Sequence, residues 1–287
     1  MRWLVTGTNG QLGSDLVRQL AGQDVLALTR SDLDLREESA VRGVVGRWLS
    51  SGSDVAVVVN AAAYTAVDAA ETDEAAAAVV NAAAPGWLAE TTSGRARLIH
   101  LSTDYVFPGD ATTPYETDDP TGPLTAYGRT KLTGERAVLA ADPGAYVVRT
   151  AWVFAAHGTN FVRTMLRLER EQDTVRVVDD QWGSPTWTWH LAAGLLELAG
   201  SGAPAGLYHC VGEGSTTWRG LAAAVFEAAG SDPGRVLPVG TAEFPRPAPR
   251  PAYSVLSNGA WRAAGLTPLP PWRDGVCGAV SALGRDR

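Results

Sequence analysis

Cysteine is almost missing from this chain: Cys210 and Cys277 are the two among 287 residues. Two separated thiols cannot build a disulfide framework and lack the clustering of a structural zinc site, so a reducing, cytoplasmic setting is the expectation. Basic charge is also short. Against 31 Asp and Glu stand 24 Lys and Arg, a formal net charge of -7. That leaves no positive field to draw in nucleic acid or anionic membrane, and neither is expected as a partner. No apolar run approaches the roughly 18 residues of a membrane span. Met1 to Val5 carry one arginine and run straight into a glycine turn, too short an apolar stretch for a signal peptide. Internal repeats are missing as well. The four histidines, His100, His157, His190 and His209, have no ligand spacing. They read as structural residues, and no metal is expected.

What is present suits a large core, with 45% apolar and 19% charged side chains. Short β-branched runs recur at Trp3 to Val5, Val25 to Leu28, Val55 to Val59, Leu98 to Leu101 and Tyr146 to Val148. Between them lie stretches of helical composition: Gln11 to Ala21, Glu37 to Leu49, Glu71 to Glu90 and Ala126 to Ala140. Strands alternating with helices of crossover length predict an α/β fold, a doubly wound parallel sheet of Rossmann type. After about Thr150 glycine and proline become dense, and Phe244 to Pro251 (FPRPAPRP) cannot form a regular element. A smaller lobe is expected there, with helical pieces at Phe161 to Gln172, Leu191 to Gly200 and Trp218 to Ala229.

The first strand feeds TGTNGQLG (6–13), a G-x-x-G-x-x-G turn that opens directly into a helix. Free backbone N–H groups and the positive helix end can receive a pyrophosphate there, making Gly7 and Gly10 candidate cofactor contacts. The plainer alternative is an ordinary strand-to-helix turn. Residues 1–150 then read as a dinucleotide-binding domain, with returning segments from about 175–210, and 151–287 mainly as a substrate-binding lobe. The third run ends in Asn60-Ala61-Ala62-Ala63, small residues at a strand edge where a dinucleotide can approach the backbone. The second ends at Thr29-Arg30, where an acid would contact the ribose 2′-hydroxyl of an unphosphorylated cofactor. Arg30 sits there instead, either as a contact for a 2′-phosphate, hence a preference for NADPH, or as a solvated surface arginine, with Asp32 and Asp34 just beyond it.

Tyr127 and Lys131 form a Y-x-x-x-K, and i to i+4 spacing puts both on one helix face about 5–6 Å apart. An ammonium at that distance favours the phenolate, so a tyrosine pKa moved towards neutrality is expected. Taken alone, the pair could be a solvated surface contact. Ahead of it, Ser102-Thr103-Asp104 closes the fourth strand where ligands meet such sheets, and Thr103 can hydrogen-bond a carbonyl. The alternative is a local turn cap.

With these motifs the chain resembles the extended short-chain dehydrogenase/reductases and, among them, the dTDP-4-dehydrorhamnose reductases. The match runs through TGTNGQLG, NAAAYTAVDAAE (60–71), LSTDYVFPGD (101–110), PYETDDPTGPLTAYGRTKLTGE (114–135), VRTAWVF (148–154), NFVRTML (160–166) and DDQWGSPT (179–186). A weaker echo continues in 206–218 and 250–258. The resemblance implies that Tyr127 is the acid, Lys131 its partner and ribose anchor, and Thr103 the hydroxyl that orients the carbonyl. It places Asp104 and Trp152 against the substrate, and Gly10, Gln11, Leu12, Asp34, Leu35, Ala62, Ala63 and Tyr64 around the dinucleotide. Ordinary core is the other reading of Trp152. Some relatives dimerise through a metal held by acidic residues near the C-terminus; here 276–287 offer Asp286 alone among acids of that tail. The implied reaction is reduction of the C4 ketone of a dTDP-linked 6-deoxy-4-hexulose to dTDP-L-rhamnose, with NADPH and also NADH accepted. A monomer or weak homodimer is expected. Two alternatives stay open: a 4-ketoreductase for another dTDP-deoxysugar, of streptose or antibiotic type, and a non-catalytic regulatory subunit like the beta subunit of methionine adenosyltransferase.

Overall fold

The computed structural model describes residues 1–285 other than Ser53; Asp286 lies outside the described residues. Six parallel strands form the central sheet: β1 (Arg2–Thr6), β2 (Asp24–Leu28), β3 (Ala56–Asn60), β4 (Arg97–Thr103), β5 (Tyr146–Thr150) and β6 (Gly206–His209). Their order is β6-β5-β4-β3-β1-β2, with the reversal of direction at β1 that marks a doubly wound sheet. Successive residues of each inner strand enter opposite cores. Trp3, Val5, Val57, Val59, Ile99, Leu101, Tyr146 and Val148 face one apolar cluster, and Leu4, Val58, Leu98 and Val147 the other. Burial on both faces is why these strands read as continuous apolar runs rather than alternating ones.

Helices cover each side. Along the chain come α1 (Gln11–Gln19), α2 (Glu38–Ser50), α3 (Ala84–Thr92), α4 (Ala126–Ala141), α5 (Phe161–Glu171), α6 (Thr188–Gly200), α7 (Trp218–Ala228) and α8 (Trp272–Arg285). The first cluster is closed by Leu16 of α1 and Leu191, Leu195 and Leu198 of α6. The second is closed by Val41, Val45 and Leu49 of α2, Leu88 of α3 and Val138 of α4. Thus α6 and β6, both from the second half, complete the sheet and one of its faces.

One expectation is corrected here. The stretch from Glu71 to Glu90 is not a single helix: Val67–Ala70 and Glu74–Ala78 are separate short helices, followed by a π-helical turn, Val79–Ala83, that leads into α3. Asp73 interrupts the first break by capping Ala76 N–H with its carboxylate. The lobe beyond β5 packs α5, α7 and α8 around Phe154, Phe226, Trp272 and Val276. Beside them Val175–Val178 runs parallel to Val236–Val239. Residues 244–251 form no regular element, and Asp68 pins them by accepting from the Ala248 N–H and pairing with Arg250 at 2.9 Å. No helix among the described residues is long and apolar enough to cross a membrane.

Candidate active site

The carboxyl ends of the strands open into a cleft of about 720 Å³. Its floor is the glycine turn. Gly7 has φ +72°, and a Cβ there would lie 2.8 Å from the Ala62 backbone; a Cβ on Gly13 would lie 2.3 Å from the Gly7 carbonyl oxygen. Only glycine lets β1, the β3 edge and α1 meet this closely. Gly10 begins α1 with no side-chain cap and no acid in the first turn, so the helix's free N–H groups remain open to an anion.

Gly7, Gly10, Gln11, Leu12, Arg30, Asp34, Leu35, Ala62, Ala63, Tyr64, Tyr127 and Lys131 all line this cleft. At its outer end Arg30 is exposed and, among the described residues, has no carboxylate partner. The neighbouring acids are engaged elsewhere. Asp34 accepts a two-pronged pair from Arg36, which draws its carboxyl down to about 2. Asp32 accepts from the Thr29 N–H and hydroxyl at 2.9 and 2.6 Å. Neither acid hydrogen-bonds Arg30, which leaves its guanidinium available to a phosphate, while the Asp34 carboxylate still feels its charge. These residues fit a pyrophosphate at α1 and a phosphorylated ribose at Arg30.

At the inner end, Thr125 caps α4 by accepting from the Gly128 N–H, which sets Tyr127 and Lys131 in the first two turns facing the cleft. Here the pKa expectation fails. The half-buried Tyr127 phenol is pushed up to about 12, chiefly by burial, with the Asp104 charge adding to it and the Thr103 hydroxyl pulling the other way. The Lys131 ammonium does not reverse this because it is turned to the sheet: Nζ donates to Leu101 O at 2.5 Å, and burial lowers its own pKa to about 8. The phenol therefore stays protonated through the neutral range, the form a proton donor needs.

Thr103, Asp104 and Trp152 are not among the residues that line the cleft. Thr103 Oγ1 donates to Asp104 Oδ1 at 3.0 Å and accepts from the Tyr105 N–H at 3.3 Å, so it does cap a local turn while standing against the phenol. Asp104 is buried, its carboxyl raised by that burial to about 6, and its Oδ2 has no partner among the described residues. Trp152 adopts φ +45°, the one positive φ outside glycine among the described residues, a conformation that costs on the order of 1–3 kcal/mol. It is held by face-to-face stacking on Trp218 at 3.7 Å. A Cβ on Gly183 would meet its indole at 2.2 Å. Trp152 thus joins two apolar clusters rather than sitting inside one.

Sequence reasoning missed the loop His157-Gly158-Thr159, which covers part of the cleft. His157 Nε2 lies 3.0 Å from the carboxylate of the buried Asp15 on α1, which also accepts from the Thr188 hydroxyl of α6. Asp15 lies in the helix that follows the glycine turn, but nothing in its spacing announces partners 142 and 173 residues away.

The family described as RmlD substrate binding domain matches residues 1–284. The chain is 52% identical over 280 residues, covering 96% of it and 93% of the relative, to a protein of Streptomyces antibioticus named "Probable dTDP-4,6-dihydroxy-2-methyloxan-3-one 4-ketoreductase". It is 50% identical over 291 residues, covering 98% of it and 94% of the relative, to the dTDP-4-dehydrorhamnose reductase of Streptomyces griseus. The crystal structure of the dTDP-4-dehydrorhamnose reductase of Bacillus anthracis in complex with NADP superposes with a TM-score of 0.90 at 35% identity, covering 96% of each chain. Sequence, fold and cleft agree, and the chain belongs to the RmlD family of dTDP-4-dehydrorhamnose reductases.

Proposed function

We propose that this chain is an NAD(P)H-dependent oxidoreductase that reduces the C4 ketone of dTDP-4-dehydro-β-L-rhamnose to dTDP-L-rhamnose. The observation that carries the reading is a half-buried phenol, kept protonated, in a cleft whose lining also holds the glycine turn, Arg30 and Lys131. When bound, NADPH supplies the hydride. Tyr127 then gives its proton to the developing alkoxide oxygen, general acid catalysis worth about 10²–10⁴-fold. Thr103 orients the ketone by exchanging its bond to Asp104 for one to the carbonyl oxygen, and Lys131, on the same helix face as Tyr127, anchors the ribose. Asp104, with a carboxylate oxygen still unpaired, accepts a sugar hydroxyl, and Trp152 forms the apolar wall.

A second sugar is favoured by a specific observation, the 52% identity to a relative named as a ketoreductase for a different dTDP-linked ketone. Both readings use one site and differ in the ketone presented to it. Freshly generated dTDP-4-dehydrorhamnose and the alternative dTDP-4-keto sugar, each mixed with NADPH, separate them by absorbance loss and product identification. Turnover of the rhamnose precursor with a higher kcat/KM supports the first reading; turnover of the other ketone alone replaces it.

A further inference from the structure

Thr6, Asn60 and His100 stand opposite one another on β1, β3 and β4, a row directly in register across three parallel strands. All three are buried, His100 to 1% exposure. The Thr6 hydroxyl lies 2.7 Å from the Asn60 amide, that amide lies 3.0 Å from His100 Nδ1, and His100 Nε2 lies 3.5 Å from Lys131 Nζ. A row of polar side chains across a buried sheet, ending on the ammonium of α4, requires complementary partners for each atom.

Donor counting settles the protonation of that row. Lys131 has three N–H bonds, one of which goes to Leu101 O. A neutral imidazole has one. Were it on Nε2, two donors would face each other across the His100–Lys131 contact. It is therefore on Nδ1, leaving Nε2 to accept from the ammonium. The structure places Asn60 Oδ1 towards the Thr6 hydroxyl and Nδ2 towards His100 Nδ1; the ring tautomer that the ammonium requires turns this amide over, oxygen towards Nδ1–H and NH₂ towards the Thr6 oxygen, an exchange of two groups of equal size in the same places. His100 also stays neutral, since burial and the neighbouring ammonium both hold its pKa far below the usual imidazole value.

We propose that His100 is a positioning residue for Lys131: an Nδ1-protonated imidazole, oriented by Asn60 and Thr6, that accepts from the ammonium and leaves its remaining N–H for the cleft. The inference rests on the reading of Lys131 as the group that meets the dinucleotide. The charge that acts on Nζ is Glu135, one turn on in α4 and itself paired with Arg149 of β5, while the Tyr127 phenol stands one turn back on the same helix. Among the described residues, His100 and Leu101 O are the groups within hydrogen-bond reach of Nζ. Removing the His100 acceptor leaves the buried ammonium one bond short and lowers its pKa further.

The test uses the full-length protein and NADPH without sugar. NADPH affinity is followed by fluorescence from about pH 6 to 9, a window that spans the Lys131 value of about 8, in wild type, His100→Leu and His100→Gln. Loss of a bond to a charged group moves the alkaline limb down by about one pH unit or more in His100→Leu. His100→Gln, whose amide oxygen can take the Nε2 place, restores it. In parallel, ¹⁵N spectra of the wild-type ring should show Nε2 bare and Nδ1 protonated throughout. An unmoved limb in a folded His100→Leu, or a proton on Nε2, overturns the proposal. Should His100→Leu not fold, the ¹⁵N tautomer decides alone. A wild-type NADPH affinity with no alkaline limb instead sinks the reading of Lys131, while the tautomer still judges the contact.

Discussion

A phenol serves a reductase as an acid only while it keeps its proton, and at Tyr127 burial outweighs every neighbouring charge, holding the group at about 12. Tyr127→Phe keeps the ring and loses the donor. It should lower kcat by about 10²–10⁴-fold with NADPH affinity and thermal stability unchanged; a variant with near-wild-type kcat would remove Tyr127 from the mechanism. The alkaline side of the pH profile belongs to Lys131 instead: its folded pKa of about 8 means kcat/KM is retained below that value and falls as pH rises through it. A profile that stays flat to about pH 10, the range of an ordinary phenol or lysine, contradicts this. Arg30 is the second residue with a sharp test. A bidentate guanidinium–phosphate contact of about 1.5–3 kcal/mol is about 10- to 150-fold in affinity. Arg30→Ala should erase a preference of that order for NADPH over NADH in kcat/KM, and an unchanged ratio would leave Arg30 a solvated surface charge. The Tyr127–Lys131 spacing and the odd arginine were legible because both are local patterns. The direction of the tyrosine shift was not, since burial and the turn of Lys131 towards Leu101 O depend on how α4 lies against β4.

Among the elements, the glycine turn was readable because its constraint is steric and local: Gly7 and Gly13 sit where any side chain would strike backbone. The π-helical turn Val79–Ala83 does not show in the alanine-rich pattern of Glu71 to Glu90; its one local sign is Pro85, which lacks the N–H that an α-helix would give to the Asn81 carbonyl. The effect of the turn is to place Asn81, which is fully buried. The Asn81 side chain accepts from the Tyr64 N–H at 2.8 Å and donates to the Tyr64 carbonyl at 3.1 Å and to Thr130 Oγ1 at 3.2 Å. Single π-turns inside helices are frequent at functional sites because they re-aim one residue. Here the residue re-aimed holds a cleft-lining loop against α4. Asn81→Ala would leave both part-buried Tyr64 backbone groups without these partners, a loss of about 1 kcal/mol for each bond. Because Tyr64 faces the cofactor cleft, KM for NADPH should rise several-fold while kcat at saturation changes little. A fall in thermal stability with KM unmoved would make Asn81 a purely structural strut.

At the scale of the whole molecule, the second half of the chain is stitched into the first by β6, and its last residue, His209, carries a consequence for stability. The strand was not legible in the sequence: four residues, Gly206–His209, two of them half-exposed, give too short a run for a pattern. Its position beside β5 is a tertiary fact. His209 has no exposed surface. Nδ1–H donates to the Ser257 carbonyl at 3.1 Å, the ring meets Phe107 edge-on, and Nε2 has no partner among the described residues. Burial, reinforced by the Arg149 charge, lowers its pKa from 6.5 to about 3. The sign follows from which state binds the proton. Between about pH 3 and 6.5 the unfolded chain holds a proton on this histidine and the folded chain does not. The stabilising contribution is therefore complete above about 6.5 and is lost as pH falls through that window. One proton corresponds to about 1.4 kcal/mol per pH unit. Over the upper part of the window, from about pH 6 to 4.5, urea titrations should show unfolding free energy falling with a slope that includes this proton. His209→Gln retains an amide donor for Ser257 and cannot titrate. It should shed about one proton's worth of that slope, even where its stability at neutral pH is lower. Equal slopes in the two proteins would mean that His209 is protonated in the folded state, and that β6 is open enough to water to let it be so.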